Sequence, residues 1–314
     1  MNILLTGGTG LIGRALCEHW LAQNKVLKKQ KNTKDQHQLW VLSRTPEKVE
    51  KLCGKGVVGL RSVKELDAQD IHIHAVINLA GAPIADKSWS EARKKEITKS
   101  RVSFTHQLVG WIASRSKQPH TLISGSAVGY YGDCGDRILD DYISEPQRDF
   151  ASQMCHQWEV EAFQAILSEV RVVCLRTGLV LSDEGGFLAR LLPLFRVGLG
   201  GPLGTGKQWM PWIHIQDTVR MIEFFLNTWN TAGSFNVCAP NPVTGKQFAS
   251  ELGKALHRPA LVPTPVWALQ KRFGEELTAM ILSSQRAIPK RAIEAGFRFT
   301  FTDLDQALDD LFDR

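Results

Sequence analysis

Along the first half of the chain, short apolar runs alternate with helix-length segments that mix polar and apolar positions. NILLT, QLWVLS, VVGL, AVINLA, HTLISGS and VRVVCLR read as strands. The segments from Leu11 to Asn24, after Pro46, from Ser90 to Ser116 and from Phe150 to Leu167 read as helices. Val, Ile and Leu are continuous within the strand runs and do not alternate with polar residues, which suits strands buried on both faces. The expected fold class is α/β, a doubly wound parallel sheet.

After Arg176 the alternation lapses. Glycine and proline cluster in RVGLGGPLGTGKQWMPW, Arg196 to Trp212, which is loop or lid composition. GSFNVCA, Gly233 to Ala239, reads as one more strand, and Thr244 to Arg314 as short amphipathic helices interrupted by Pro259, Pro263, Pro265 and Pro289. The organisation expected is a large sheet domain over 1–180, with 214–240 returning to it, and a smaller, mainly helical substrate domain from 181–213 and 241–314.

Composition narrows the class without changing it. With 43% hydrophobic and 22% charged residues, the chain is ordinary globular material. Its longest apolar stretches are too short to span a bilayer, and the first residues lack a secretory pattern, so a soluble, cytoplasmic protein is expected. The six cysteines, Cys17, Cys53, Cys134, Cys155, Cys174 and Cys238, have no C-x-x-C spacing, which points to reduced thiols and no metal site. The net charge of +6 owes much to Lys25, Lys28, Lys29, Lys31 and Lys34, in one run from Lys25 to Gln38. A solvated, mobile loop is favoured there over a binding patch, and no nucleic-acid partner is expected.

The first strand runs directly into GGTGLIG, Gly7 to Gly13, and then into a helix-compatible segment. This G-x-G-x-x-G pattern in a strand-turn-helix context predicts a Rossmann dinucleotide site, with Gly8 making the tight turn, Gly10 admitting a pyrophosphate and Gly13 letting helix pack on strand. The helix would aim its free amides at the phosphates. At the end of the second strand, where an acidic residue would accept from the ribose 2′-hydroxyl of NAD, Ser43 and Arg44 stand instead. Arg44 can clamp a 2′-phosphate, so NADP is favoured over NAD.

GGTGLIG, NLAG (78–81) and SGSAVGYYG (124–132) resemble the extended short-chain dehydrogenase/reductase superfamily of nucleotide-sugar epimerases and dehydratases. LRTGLVL, GLGGPLGTGKQ, PWIHIQD and the RAIPKR tail resemble more closely its atypical, YfcH-like epimerase family, some members of which are labelled cell-division inhibitors. The resemblance implies phosphate contacts from Thr9, Gly10, Leu11 and Ile12, within a cofactor-binding set that also takes in Gly7 and Gly13, and an adenosine-ribose end at Ser43 and Arg44. It also implies a cofactor wall from Leu79, Ala80 and Gly81, and a nicotinamide flank from Arg176, Thr177, Gly178 and Leu179. His214 and Asp217 match a pattern that joins the two domains. Arg101 stands out on an otherwise solvated helix as a cofactor or substrate contact.

The same resemblance implies a serine or threonine, a tyrosine and, four residues on, a lysine at the active centre. Phe150 and Met154 stand where the tyrosine and lysine should be, and neither exchanges a proton. Ser124 and Ser126 fill the first role, while Tyr130 and Tyr131, in the loop after the same strand, are the replacement proton donors or else packing residues. Cys155, His156 and Glu159 do not form a triad at their helical spacing. Lys207 and Trp209 form the candidate substrate clamp, with an ordered interdomain turn as the alternative. The function expected is an NADP-dependent oxidoreductase or epimerase acting on a small or nucleotide-linked alcohol or carbonyl, with room for a homodimer. The competing class is a non-catalytic, NADPH-dependent regulatory protein.

Overall fold

The computed structural model describes residues 1–32 and 35–313. Its central sheet has seven strands: β1 (Asn2–Thr6), β2 (Gln38–Leu42), β3 (Val58–Leu60), β4 (Ala75–Asn78), β5 (Thr121–Ala127), β6 (Arg171–Thr177) and β7 (Gly233–Val237). They lie in the order β7-β6-β5-β4-β1-β2-β3, and every neighbouring pair is parallel. The chain starts in the middle and winds outward both ways, so β1 and β4 flank a crevice at their carboxyl ends where the crossovers diverge.

The continuous apolar runs are explained by two-sided burial. Ile3, Leu5, Ile77, Ile123, Val173 and Leu175 join the core on one face with Trp20, Phe225 and Phe235. Leu4, Val76, Leu122, Val172 and Cys174 join the core on the other face with Leu108 and Ile112. Successive residues point to opposite faces, and both faces are covered by helices.

Two segments depart from the sequence expectation. The first helix runs Leu11–Lys29 and does not end near Asn24. Its buried positions stop at Trp20, so the apolar periodicity fades before the helix does, and Lys28 and Lys29 occupy the last turn, where cations suit the dipole. Lys25, Lys28 and Lys29 are therefore helical; the lysine run continues into Thr33 and Lys34, which lie outside the described residues. The second departure is the helix Gly186–Arg196, inside the stretch read as a lapse in alternation. Its Leu188, Leu192 and Phe195 share one face at i, i+4 and i+7, and pack with Trp212, Phe248, Leu252, Leu308 and Leu311 in a second core.

The polypeptide beyond Thr244 divides between cores. The helices Gly245–Ala255 and Leu304–Phe312 belong to the second, whereas Ala292 and Phe297 belong to the main one. His214 caps the helix Ile215–Asn227, stacks on Phe301 at 4.0 Å and lies 3.5 Å from Asp310, while Asp217 accepts from the Thr300 and Phe301 amides. These contacts tie the C-terminal segment to the sheet. No described helix is long and apolar enough to cross a membrane.

Candidate cofactor cleft and active centre

The turn after β1 is shaped by what its glycines exclude. A Cβ on Gly7 would lie 2.4 Å from the Leu79 carbonyl oxygen, one on Gly13 2.5 Å from the Gly7 oxygen, and one on Gly8 2.7 Å from Val41. The positive φ of 68° falls on Gly7, so Gly7 makes the tight turn assigned above to Gly8, which is needed for its contact with Val41. A Cβ on Gly10 would meet only the Gly7 oxygen, at 3.2 Å, and otherwise point into open space. Gly10 caps the helix Leu11–Lys29 with no side chain of its own, which leaves the first amides free.

Here lies a cleft of about 330 Å³, whose floor is Gly7 and Gly10 to Gly13 and whose walls are Leu79, Gly178, Leu179 and the Gly186–Phe187 pair. Gly178 is required at this point because a Cβ would come within 2.5 Å of the Pro211 carbonyl oxygen. Ser43 and exposed Arg44 follow β2 directly, beside the glycine turn that Val41 supports. A glycine turn at a helix N-terminus, flanked by a basic residue at the β2 end, fits a phosphorylated dinucleotide.

Register then brings polar groups into one row. Thr6 lies opposite Asn78, and Asn78 opposite Ser124. The Thr6 hydroxyl donates to Asn78 Oδ1, and Asn78 Nδ2 donates to Thr105 Oγ1 and Ser124 Oγ, at 2.7, 2.8 and 3.2 Å. The Trp158 indole donates to the same Thr105 hydroxyl. Ser124 is fully buried within this row, so it cross-links strands and is not a group presented to substrate.

Ser126 is different. Its hydroxyl donates to Glu159 Oε1 at 2.7 Å, and Arg176 clamps the same carboxylate through Nε and Nη2 at 2.8 and 2.9 Å. Ser234 donates to Glu159 Oε2, so the buried carboxylate is satisfied on both oxygens. Burial alone would lower the Arg176 pKa, but the hydrogen bonds and charge of Glu159 raise it above the ordinary arginine value. Arg176 is therefore an internal ion-pair partner, with its guanidinium turned to Glu159 and absent from the lining of the cofactor cleft. The two arginines, Arg171 and Arg176, in the otherwise apolar run VRVVCLR were the signal for such partners.

The tyrosines are likewise committed. Tyr131 donates to Asn236 Oδ1 and accepts from Arg176 Nη1, at 2.8 and 3.1 Å. Tyr130 donates to the Ser144 carbonyl, and the Arg176 guanidinium covers its ring at 3.6 Å. Desolvation raises both phenol pKa values above the ordinary tyrosine value. Neither hydroxyl is poised to give up a proton, so the replacement-donor expectation gives way to packing.

Phe150 and Met154, on the helix Phe150–Phe163, join an apolar cluster with Ile84, Trp89, Ile97 and Val102, and Trp89 meets Phe150 edge-on at 5.0 Å. Burial pushes the Cys155 thiol up to about 12, so it is a packed thiol and no nucleophile. Arg101 sits in a π-helical turn, Lys99–Ser103, with its guanidinium over Trp158 at 5.4 Å and against Gly81. Trp209 donates to Asp136, and Arg286 covers its ring at 4.3 Å; this makes it a strut between loops and not a stacking face, while Lys207 is exposed. Neither lines the cofactor cleft.

Comparison with known proteins agrees with this geometry. The model of the NAD dependent epimerase/dehydratase family matches residues 3–238, and that of a domain of unknown function, DUF1731, matches residues 264–311. The epimerase family protein YfhF of Bacillus subtilis is 36% identical over 311 residues, covering 99% of this chain and 98% of that one. An Arabidopsis thaliana chloroplastic homologue of the epimerase family protein SDR39U1 is 36% identical over 313 residues, covering 98% of this chain and 86% of its own. The crystal structure of human SDR39U1 with NADPH superposes with a TM-score of 0.87 at 32% identity, covering 100% and 99% of the two chains. A UDP-glucuronic acid 4-epimerase from Bacillus cereus shares the fold, with a TM-score of 0.75 at 18% identity and coverage of 100% and 98%. The chain belongs to the NAD dependent epimerase/dehydratase family.

Proposed function

We propose that this protein binds NADP(H) in the β1–β4 crevice and acts as an oxidoreductase or epimerase on a small or nucleotide-linked alcohol or carbonyl. The carrying observation is the cleft itself, where Gly7 and Gly10 to Gly13 face Leu79 and Leu179, with glycines at the turn that precedes the helix. The NADPH bound in the human relative, 32% identical over the whole chain, supports the same cofactor here. When bound, the nicotinamide would supply hydride chemistry.

The protein's own part is to hold the pyrophosphate on the Leu11–Lys29 helix terminus, to select the 2′-phosphate through Arg44 and Ser43, and to exchange the substrate proton. For the last task Ser126 is the group best supported, because its hydroxyl is hydrogen-bonded to the Glu159 carboxylate and the residue is 5% exposed where Ser124 is sealed. Glu159 would position that hydroxyl and accept its proton, with Arg176 holding the carboxylate in place. A single-turnover assay tests this reading: bound NADPH oxidised by a member of a carbonyl panel supports it, and NADPH that fails to bind at physiological concentration sinks it.

A second reading, an NADPH-dependent binding protein without turnover, is favoured by the apolar cluster at Phe150 and Met154. Bound NADPH that stays reduced across the panel would select it.

A further inference from the structure

Three arginines drawn inside this protein each take several protein acceptors, although Arg171 Nε is left without one. Arg171 donates to the carbonyls of Phe225, Thr228 and Thr231 and to the Thr121 hydroxyl. Arg291 donates to the Ser234 and Ala232 carbonyls, and Arg176 to Glu159, Tyr131 and Ile143.

Arg101 has no such provision. Among the described residues its side-chain hydrogen bonds run from Nη1 to the Ile97 carbonyl at 3.4 Å and the Ser100 hydroxyl at 3.5 Å, both long and both within its own helix. Nε and Nη2 have no acceptor among the described residues, yet they are not sealed in the core. Burial lowers its pKa below the ordinary arginine value, and no described carboxylate pairs with it to compensate. A half-buried guanidinium with unused donors is costly unless an anion completes it.

Its placement is specific. The π-helical turn Lys99–Ser103 interrupts an otherwise α-helical stretch, a feature that clusters at functional sites. The guanidinium is held over the Trp158 ring at 5.4 Å, and a Cβ on Gly81 would come within 2.8 Å of its Cζ. Gly81 follows Leu79 of the cleft wall by two residues, so the guanidinium packs against the chain just past that wall. Nearby Met154 and Cys155 are buried and apolar in character, and the other cations of this corner are already engaged: Lys94, over the Phe150 ring, pairs with Glu91 and Glu276, and Arg93 pairs with Glu96.

We propose that Arg101 is the anion anchor of the substrate site, taking the paired oxygens of a carboxylate or phosphate on a small-molecule substrate beside Gly81. A planar fork of donors matches such oxygens in a bidentate pair. This inference rests on the cofactor reading above, because it assigns Arg101 to substrate and not to the dinucleotide.

The test uses the full chain loaded with NADPH, titrated with oxalate, with inorganic phosphate and with neutral oxamide, following NADPH fluorescence. Oxalate or phosphate should bind saturably and oxamide should not, and the stronger anion assigns carboxylate or phosphoryl chemistry. Arg101→Gln should weaken anion binding about tenfold or more while changing the NADPH Kd less than about twofold. Arg101→Lys should recover part of the loss. Gly81→Ala, which presses on the guanidinium and keeps the charge, should also weaken anion binding. Equal anion binding by wild type and Arg101→Gln, no saturable anion binding by wild type, or a parallel loss of NADPH affinity in Arg101→Gln would each overturn the proposal. If wild type does not bind NADPH, the cofactor reading fails instead, and the same anion comparison by calorimetry on the free protein still decides the role of Arg101.

Discussion

The turn after β1 and the start of the helix Phe150–Phe163 face the same end of the sheet but have been treated oppositely. The turn works through backbone: its glycines leave room for other main-chain atoms and expose amides. The helix start would need side-chain chemistry to move a proton, and its two decisive positions are Phe150 and Met154 in an apolar cluster. Backbone cradles depend on what is missing, whereas proton relays depend on what is present. A chain can therefore retain cofactor geometry while the usual relay disappears.

One turn beyond Cys155 lies a buried polar centre built on Glu159, and the sharpest way to break the comparison is to remove it. Glu159→Gln should cost about 3–5 kcal/mol, because Arg176 is left charged and buried; urea unfolding measures this. The double change Glu159→Leu and Arg176→Met should recover much of that loss, since the desolvation penalty vanishes with the charges.

Rebuilding the relay should fail at the next level. Met154→Lys puts an ammonium into a position 3% exposed and surrounded by apolar side chains, at a cost of about 2–4 kcal/mol. A lower urea midpoint with NADPH affinity unchanged is the expected result; a stable, more active Phe150→Tyr and Met154→Lys pair would show that the relay position is still permissive.

At the cofactor end the effects are smaller and selective. Arg44→Ala should weaken NADPH binding about tenfold, near 1.4 kcal/mol, and leave NADH binding almost unchanged. Equal losses for the two would remove the 2′-phosphate role. The smallest effect concerns Cys155. Native protein at pH 8 should resist iodoacetamide at this thiol, because burial holds its pKa near 12. The folded state keeps that proton while an unfolded thiol loses it, so the thiol's contribution to stability is full below about pH 9 and declines as pH rises toward 12. Cys155→Ala should flatten this decline in alkaline melts.

Much of this protein is determined by local sequence. Continuous apolar runs require strands covered on both faces, and a glycine pattern directly after the first of them requires a strand-turn-helix with open amides. Ser43 and Arg44 are readable because they follow a strand end that the same pattern locates. The loss of the relay is readable too, since no fold can make Phe150 or Met154 exchange a proton. The tertiary structure decided the roles of groups whose partners are distant in the chain. Ser124 and Ser126 are two residues apart, yet one is locked by Asn78 and the other meets Glu159. Tyr131 is withdrawn by Asn236, 105 positions away, and Arg176 by a carboxylate on a neighbouring helix. The helix Gly186–Arg196 was hidden because its apolar stripe has meaning only against a core assembled from Trp212, Phe248 and Leu308. A hydrogen bond depends on where two atoms meet in space, and sequence periodicity carries only the angle at which each leaves its own backbone.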